Sequence, residues 1–404
     1  MKPTQSRPLW AGRTLALVGI VLVAFNLRTA VASLSPILAE LERDITLTPA
    51  VIGLLGMLPP LCYAVFGIVT PLIAKRFDLE PTLVVALLAL SAGLFARGLA
   101  GDAVGLLAAS TLTFAAIGVG NVLLPPLVKR YFPDRVGLLT SLYVTALSVS
   151  TFVPPLVAVP VAEAAGWQVS LGEWGVVAAL ALVPWIVLVL HPRGREAASL
   201  PEEAESGLLR YAVRSPLAWA LAILFTIPGI NAYAMFAWLP PILHDIAGTS
   251  PVEAGALLAL FAAMGLPASI VVPVIAARYG HVRLLVGIAI VAFAAGYLGL
   301  LLVPATATWL WVALIGTGPL LFPLTLVLVN LRSRTHSGAV ALSGFVQSVG
   351  YLIVAVGPLA VGLLHESTGG WTWPLIFLAS SIVPAAIAGT IAARPRYFED
   401  ERAA

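Results

Sequence analysis

The sequence predicts an all-α membrane protein: twelve transmembrane helices arranged as two parallel-repeat six-helix halves. Three observations predict it. The composition is too apolar for a water-soluble surface, twelve apolar runs have spanning length, and the second half of the chain echoes the first. Of 404 residues, 60% are hydrophobic and 10% charged, against about 25% charged in a soluble domain. The single cysteine, Cys62, excludes an internal disulfide and leaves no thiolate metal cluster to expect.

A span needs about 20 mostly apolar residues. The first run, 14–39, is too long for a cleavable signal and lacks a small-residue cleavage site. The second, 50–74, opens on Thr48-Pro49, and runs 82–100, 104–128, 136–162 and 172–190 follow across short turns. A polar stretch, 191–215, then interrupts with Arg193, Arg195, Glu202, Glu203, Glu205, Arg210 and Arg214. Six further runs complete the chain: 216–246, 253–277, 283–303, 307–330, 337–364 and 371–393. Ser250, Pro251 and Glu253 form a capping-box start for the eighth. Pro59-Pro60, Pro125-Pro126 and Pro154-Pro155 are expected to bend their helices. The expected division is therefore a first half over 1–190, a cytoplasmic linker over 191–215 and a second half over 216–404.

Lys and Arg set the orientation, because basic loops stay inside. With the N-terminus inside, 19 of the 22 basic residues fall on the cytoplasmic side; Arg28, Arg43 and Arg97 are the exceptions. The opposite loops are acidic, with Glu40, Glu42, Asp44, Asp102, Glu163, Asp245 and Glu366. Both termini are expected in the cytoplasm of a bacterial cell, around a multi-pass cytoplasmic membrane protein.

The repeat has an offset of 202 to 205 residues. Asn26 precedes Pro36-Ile37-Leu38 by the interval at which Asn231 precedes Pro241-Ile242-Leu243. Gly53, Pro71 and Arg76 match Gly255, Pro273 and Arg278. Pro154-Pro155 and Trp167 match Gly357-Pro358 and Trp371. Six helices return the chain to its starting side, so the repeats are parallel, the arrangement of a two-body rocker.

Arg28 is the most informative residue. It sits near the middle of the first run, where a charge costs about 2.5–3.5 kcal/mol on insertion scales. No Asp or Glu occupies the interior third of any run, so a carboxylate partner is not expected. An unpaired guanidinium in a wet cavity offers forked donors to a small oxyanion or carboxylate. The competing reading is a structural Arg held by carbonyls, Asn side chains and water. Asn26, Asn231, Tyr233, Asn121, Gln347 and Tyr351 are the other polar side chains at depth, and are expected in the same substrate-binding cavity. Interhelical hydrogen bonding is the alternative for each.

The five histidines lie at run ends or in loops, so no intramembrane proton relay is expected. No cluster of His, Asp or Glu and no nucleophile constellation lies in the spans, which argues against an enzyme. No ring of repeated pore-lining groups suggests a channel. No catalytic residue, metal, cofactor or nucleic-acid partner is expected. The expected partners are the bilayer and a small anionic solute, and the expected unit is a monomer. An exporter of neutral or aromatic compounds, with Arg28 structural, is the alternative. The pairs Lys75-Arg76 and Lys129-Arg130 are expected to fix topology and touch lipid headgroups; Asp78, Glu80 and Asp134 are near enough to pair with them, and pairing with helix ends would lock the outward-open state.

Two parallel six-helix halves joined by a charged loop resemble the major facilitator superfamily. Within it, four segments resemble the cyanate and 2-nitroimidazole transporter family. These are Asn26-Leu27-Arg28 leading to Ser35-Pro36; Ala237-Trp238-Leu239-Pro240; the helix end Pro125 to Arg130; and Phe345-Val346-Gln347-Ser348-Val349-Gly350-Tyr351. The resemblance implies a cytoplasmic-membrane porter for a small solute such as cyanate, working by alternating access, with Arg28 and Gln347 in the cavity. One departure stands out. The superfamily's Gly-x-x-x-Asp stretch after the second helix would start at Gly67, and Pro71 occupies the Asp position.

Overall fold

The computed structural model describes residues 13–190 and 206–402. Most of the 191–215 connection falls outside it, with His191, Arg193, Arg195, Glu202, Glu203 and Glu205, as do Lys2 and Arg7. Among the described residues twelve helices are long and apolar enough to cross a membrane. They are α1 Thr14–Leu41, α2 Pro49–Phe77, α3 Leu79–Gly98, α4 Ala103–Tyr131, α5 Val136–Ala165, α6 Trp167–Leu190, α7 Pro216–Ala247, α8 Pro251–Tyr279, α9 Val282–Leu302, α10 Thr308–Leu331, α11 Ser337–Thr368 and α12 Thr372–Ala392. Each corresponds to one run read from the sequence. The largest shift is at α6, where the helix starts immediately after Gly166, whose φ of 88° turns the chain.

Helix starts follow side-chain capping. Thr48, Asp102, Ser215, Ser250 and Thr335 each accept the backbone N–H three residues on, at 3.3, 2.6, 3.0, 3.2 and 3.0 Å. At Ser250 this is the serine half of the expected capping box. Gly248 and Gly369 close α7 and α11 in the left-handed region, at φ 69° and 67°, where a side chain would be strained. Most interior prolines stay within continuous helix. Pro36 does not. It lacks an N–H and crowds the carbonyl four residues back, at Ala32. Regular α1 geometry ends at Ala32, and the chain continues through a 3-10 turn, Ser35–Ile37.

The apolar cores are local to each set of six. Two clusters draw their buried residues only from α1–α6 and the turns between them. Another comes from the last six helices and the short helix Ser206–Ala212. A fourth belongs to the last six helices, joined by Leu38 and Ile52.

The two sets meet at the end bearing the acidic loops. A Cβ built at Gly53 of α2 would stand 3.1 Å from the Pro358 carbonyl of α11; one at Gly255 of α8 would stand 2.5 Å from the Pro155 carbonyl of α5. These are repeat partners: Gly53 matches Gly255, and Pro155 matches Pro358. Toward the basic end the same helices part. α5 buries Pro154, Pro155, Ala158, Val159 and Ala162 in its acidic half, but only Leu139 and Ser150 before them. α8 buries six residues between Ala254 and Phe261, then only Val272 and Ala276. The molecule is sealed at its acidic end and cleft at its basic end.

Candidate functional site

Arg28 lies halfway along α1, at the depth where the cleft meets the seal. Its guanidinium carbon is 5.4 Å from the centroid of the Tyr63 ring on α2. Tyr63 stands edge-on to Tyr233 of α7 at 6.4 Å and to Tyr351 of α11 at 6.0 Å. The cluster therefore joins both sets of six. Tyr63 and Tyr233 flank Arg28 as polar neighbours. Even so, Arg28 Nη1 and the Tyr63 hydroxyl are buried without a well-formed hydrogen bond. No carboxylate among the described residues lies within ion-pair distance of Arg28.

Of the residues expected with Arg28, the structure brings Tyr233 and Tyr351 to it. Gln347 lies one turn from Tyr351 toward the basic end, half-buried, donating from Nε2 to Ser343 Oγ at 2.7 Å. Asn121 of α4 has a buried Nδ2 without a partner, beside Gly120, which packs on Leu27 of α1.

Asn26 and Asn231 turn away from the cavity, contrary to expectation. Residues two apart on a helix point in nearly opposite directions, about 200° around the axis. With Arg28 and Tyr233 facing the centre, Asn26 and Asn231 face outward into their own bundles. Asn26 Nδ2 donates to Leu22 O at 2.8 Å and to Val177 O of α6 at 3.4 Å. Asn231 Nδ2 donates to Ile227 O at 2.8 Å and Ser381 Oγ of α12 at 3.0 Å, and its Oδ1 accepts the Tyr297 hydroxyl of α9. Both are fully buried braces. The repeat has kept one job for both: tying the first helix of each set to the last.

Sequence reasoning missed two residues. Tyr63 carried a signal, a lone hydroxylated aromatic mid-span just after the Pro59-Pro60 pair. The sequence marks Arg97 only as one of three basic residues off the cytoplasmic side. In the structure it is fully buried, with Nη1 donating to Ala30 O of α1 at 3.1 Å.

At the basic end the expected pairing forms at Arg130, while Asp134 pairs with Arg13 and Arg135 rather than with either basic pair. Arg130 binds Asp78 at 2.8 Å and the fully buried Glu80 at 2.6 Å, while the Tyr131 hydroxyl donates to Glu80 at 2.8 Å. Arg13 binds Asp134 at 2.6 Å. These pairs all lie within the first six helices and their turns. In this conformation they brace one set and do not bridge the two.

Twelve spans in two repeated sets of six, closed at one end and open at the other around a central polar cluster, define a membrane transporter. The pattern of the Major Facilitator Superfamily matches residues 20–355, and the chain belongs to that superfamily. It is 33% identical over 391 residues to the uncharacterized transporter YycB of Bacillus subtilis (strain 168), covering 96% of this chain and 95% of that protein. It is 32% identical to the 2-nitroimidazole transporter of Escherichia coli (strain K12), over 95% of this chain and 96% of that one. The cyanate transport protein CynX of the same strain is 26% identical over 91% of this chain and 94% of its own length. Among solved structures, a bacterial homolog of the human lysosomal transporter Spinster, inward-facing and unoccupied, superposes with a TM-score of 0.76 at 16% identity. That match covers 96% of this chain and 98% of the other, and it supports the fold alone.

Proposed function

We propose that this transporter carries a small anion, such as cyanate, across a bacterial cytoplasmic membrane by alternating access, with Arg28 as the electrostatic anchor. The observation that carries the reading is the Arg28 guanidinium, without a carboxylate partner among the described residues, set among Tyr63, Tyr233 and Tyr351 at the meeting point of both sets of helices. A cation–π contact contributes about 0.5–2 kcal/mol, less than the roughly 2.5–3.5 kcal/mol a central Arg costs. The Tyr63 and Tyr233 hydroxyls beside it, together with water or an anion, supply the rest. The cyanate relative supports a small linear ion as cargo. Basic ends belong in the cytoplasm, which puts both termini inside and makes the present conformation inward-open. Residues 1–190 and 216–404 then rock as two bodies joined through 191–215.

The test is anion-dependent thermal stabilisation of the purified protein, followed by uptake of labelled cyanate into proteoliposomes. A ligand at a hundred times its dissociation constant stabilises by about 2.7 kcal/mol. That gain should vanish in Arg28→Ala while the variant still folds. The tyrosine rings and the 2-nitroimidazole relative favour a second reading, a flat neutral aromatic solute. It gains if nitroimidazoles, and not anions, stabilise the protein equally with and without Arg28.

A further inference from the structure

We propose that the corner where α8 turns into α9 binds the headgroup of an anionic phospholipid, held by Arg278, Arg283 and Arg394. The site is separate from the Arg28 cluster and does not depend on what the protein carries.

The internal repeat supplies the comparison. At the basic end of α2 the Arg76 guanidinium carbon lies 5.5 Å from the ring centroid of Phe77, which is 59% exposed. At the offset of 202 residues α8 ends on the same kind of pair. Arg278 lies 5.7 Å from the centroid of Tyr279, which is 58% exposed. The two corners then diverge in charge. The first turns through Asp78 and Glu80, and both acids bind Arg130, at 2.8 and 2.6 Å. The second has Gly280 and Val282 in those places. The counterpart of Arg130 is Arg332, which has no acid to bind at this corner. It donates from Nε and Nη2 to the carbonyls of Ala392 and Ala393, at 3.1 and 3.4 Å. The backbone turn is shared even so, with φ 69° at Asp78 and 67° at Gly280. Only the carboxylates are gone.

What remains is a set of cations without an internal partner. Arg278 and Arg283 are exposed on the two sides of the turn, and no acid lies in the first turn of α9. The end of α12 adds Arg394. α12 packs on α9 at Gly389, where a Cβ would stand 2.4 Å from Val286. Arg283 is three residues before Val286 and Arg394 five after Gly389, which brings both to the basic end within about two turns of that contact. The acids that follow α12 are engaged elsewhere: Glu399 on the Arg334 and Thr335 N–H groups, Asp400 on Arg334, and Glu401 on Ser215. No carboxylate among the described residues pairs with Arg278, Arg283 or Arg394. From this charged corner apolar rows run toward the middle of the membrane. Leu284, Ile288 and Val291 are exposed on one face of α9, and Val383 and Ile387 are exposed on α12. Positive charge at the surface, continued inward by exposed apolar rows, suits a phosphate headgroup that is joined to acyl chains. Tyr279 is an amphipathic ring at the same boundary.

The probe is phosphatidylglycerol, compared with phosphatidylcholine, added to the purified full chain in detergent. Native mass spectrometry should show one phosphatidylglycerol retained more firmly than any phosphatidylcholine, and thermal titration should show protection by phosphatidylglycerol. Arg278→Gln/Arg283→Gln should weaken that binding roughly thirtyfold, about fivefold for each arginine at a membrane surface. Both side chains are exposed, so the core is untouched. Gly280→Asp puts back the acid of the first corner, at a backbone angle that Asp78 already adopts. It should weaken binding with every arginine still in place. Arg76→Gln, at the first corner, should change it by less than about twofold. A diffuse attraction to the basic surface predicts equal losses at the two corners, and that result would overturn the site, as would equal protection by phosphatidylcholine. Protection by inorganic phosphate that Arg278→Gln/Arg283→Gln abolishes would make the occupant a soluble anion and overturn the lipid assignment.

Discussion

A guanidinium halfway through a membrane helix usually has an acid beside it, and Arg28 has phenols. Their rings supply a face for the cation and their hydroxyls supply polarity, but they supply no negative charge. Tyr63 is therefore the residue whose substitution separates the two contributions. Tyr63→Phe keeps the ring 5.4 Å from Arg28 and should leave anion affinity within a few-fold. Tyr63→Leu removes the cation–π contact, worth about 0.5–2 kcal/mol, and should weaken anion-dependent stabilisation by roughly two- to thirtyfold. Asn231 makes the opposite case. Because it faces Ser381 and Tyr297, Asn231→Leu should cost stability, by about 0.6–1.7 kcal/mol per interhelical hydrogen bond lost. Its anion affinity, read by the same thermal titration, should stay at the wild-type value. A larger loss of affinity than of stability would return Asn231 to the cavity.

The helices and their starts were legible in the sequence, because apolar runs, prolines and capping residues act locally. Rotation about each helix axis was only partly legible. The two-residue spacing of Asn26 and Arg28 already forbade a common face, and the depth of both residues hid that. Arg97 was hidden for a different reason. A helical side chain leans toward the N-terminus of its helix, so an Arg in the last turn of α3 points back into the membrane rather than out of it. The ends of elements also carry the chain's clearest pH response. Glu399, after α12, accepts the Arg334 and Thr335 N–H groups at 3.0–3.1 Å and the Thr335 hydroxyl at 2.9 Å, which ties the C-terminal segment to the start of α11. Burial raises its carboxyl pKa, but these hydrogen bonds outweigh burial and hold it below the ordinary value. A depressed carboxylate stabilises fully above its unfolded pKa, about 4.3, and loses that contribution as pH falls through the folded value. Hydrogen-exchange protection at the start of α11, taken relative to the intrinsic rate at each pH, should thus be high at neutral pH and fall below about pH 4. In Glu399→Gln it should be low throughout; pH-independent protection in the wild type would show the cap to be idle.

At the scale of the whole molecule, the repeat builds the seal. The glycine and proline matches found at fixed offsets in the sequence are the residues that touch across the acidic end: Gly53 against Pro358, and Gly255 against Pro155. Two equivalent contacts close that end, and under the proposed alternating access both open together when the central cluster turns to the other side. In both places the neighbour is backbone, which cannot swing aside as a flexible side chain would. Overpacking of this kind costs about 1–3 kcal/mol, and here the cost falls only on the sealed conformation, since the helices part when it opens. Gly255→Ala should therefore shift the equilibrium toward the acidic-end-open state by roughly five- to hundredfold, and Gly53→Ala should do the same through the equivalent contact. Ser35, which lines a small cavity behind the seal and is 3% exposed, reports the change. In a Cys62→Ala background, Ser35→Cys should react slowly with a membrane-impermeant maleimide added from the acidic side. Adding Gly255→Ala should accelerate it while the melting temperature stays within the range of a folded variant. An unchanged labelling rate in both glycine variants would mean that these contacts are incidental to closure, and that the seal is held by other residues of α2, α5, α8 and α11.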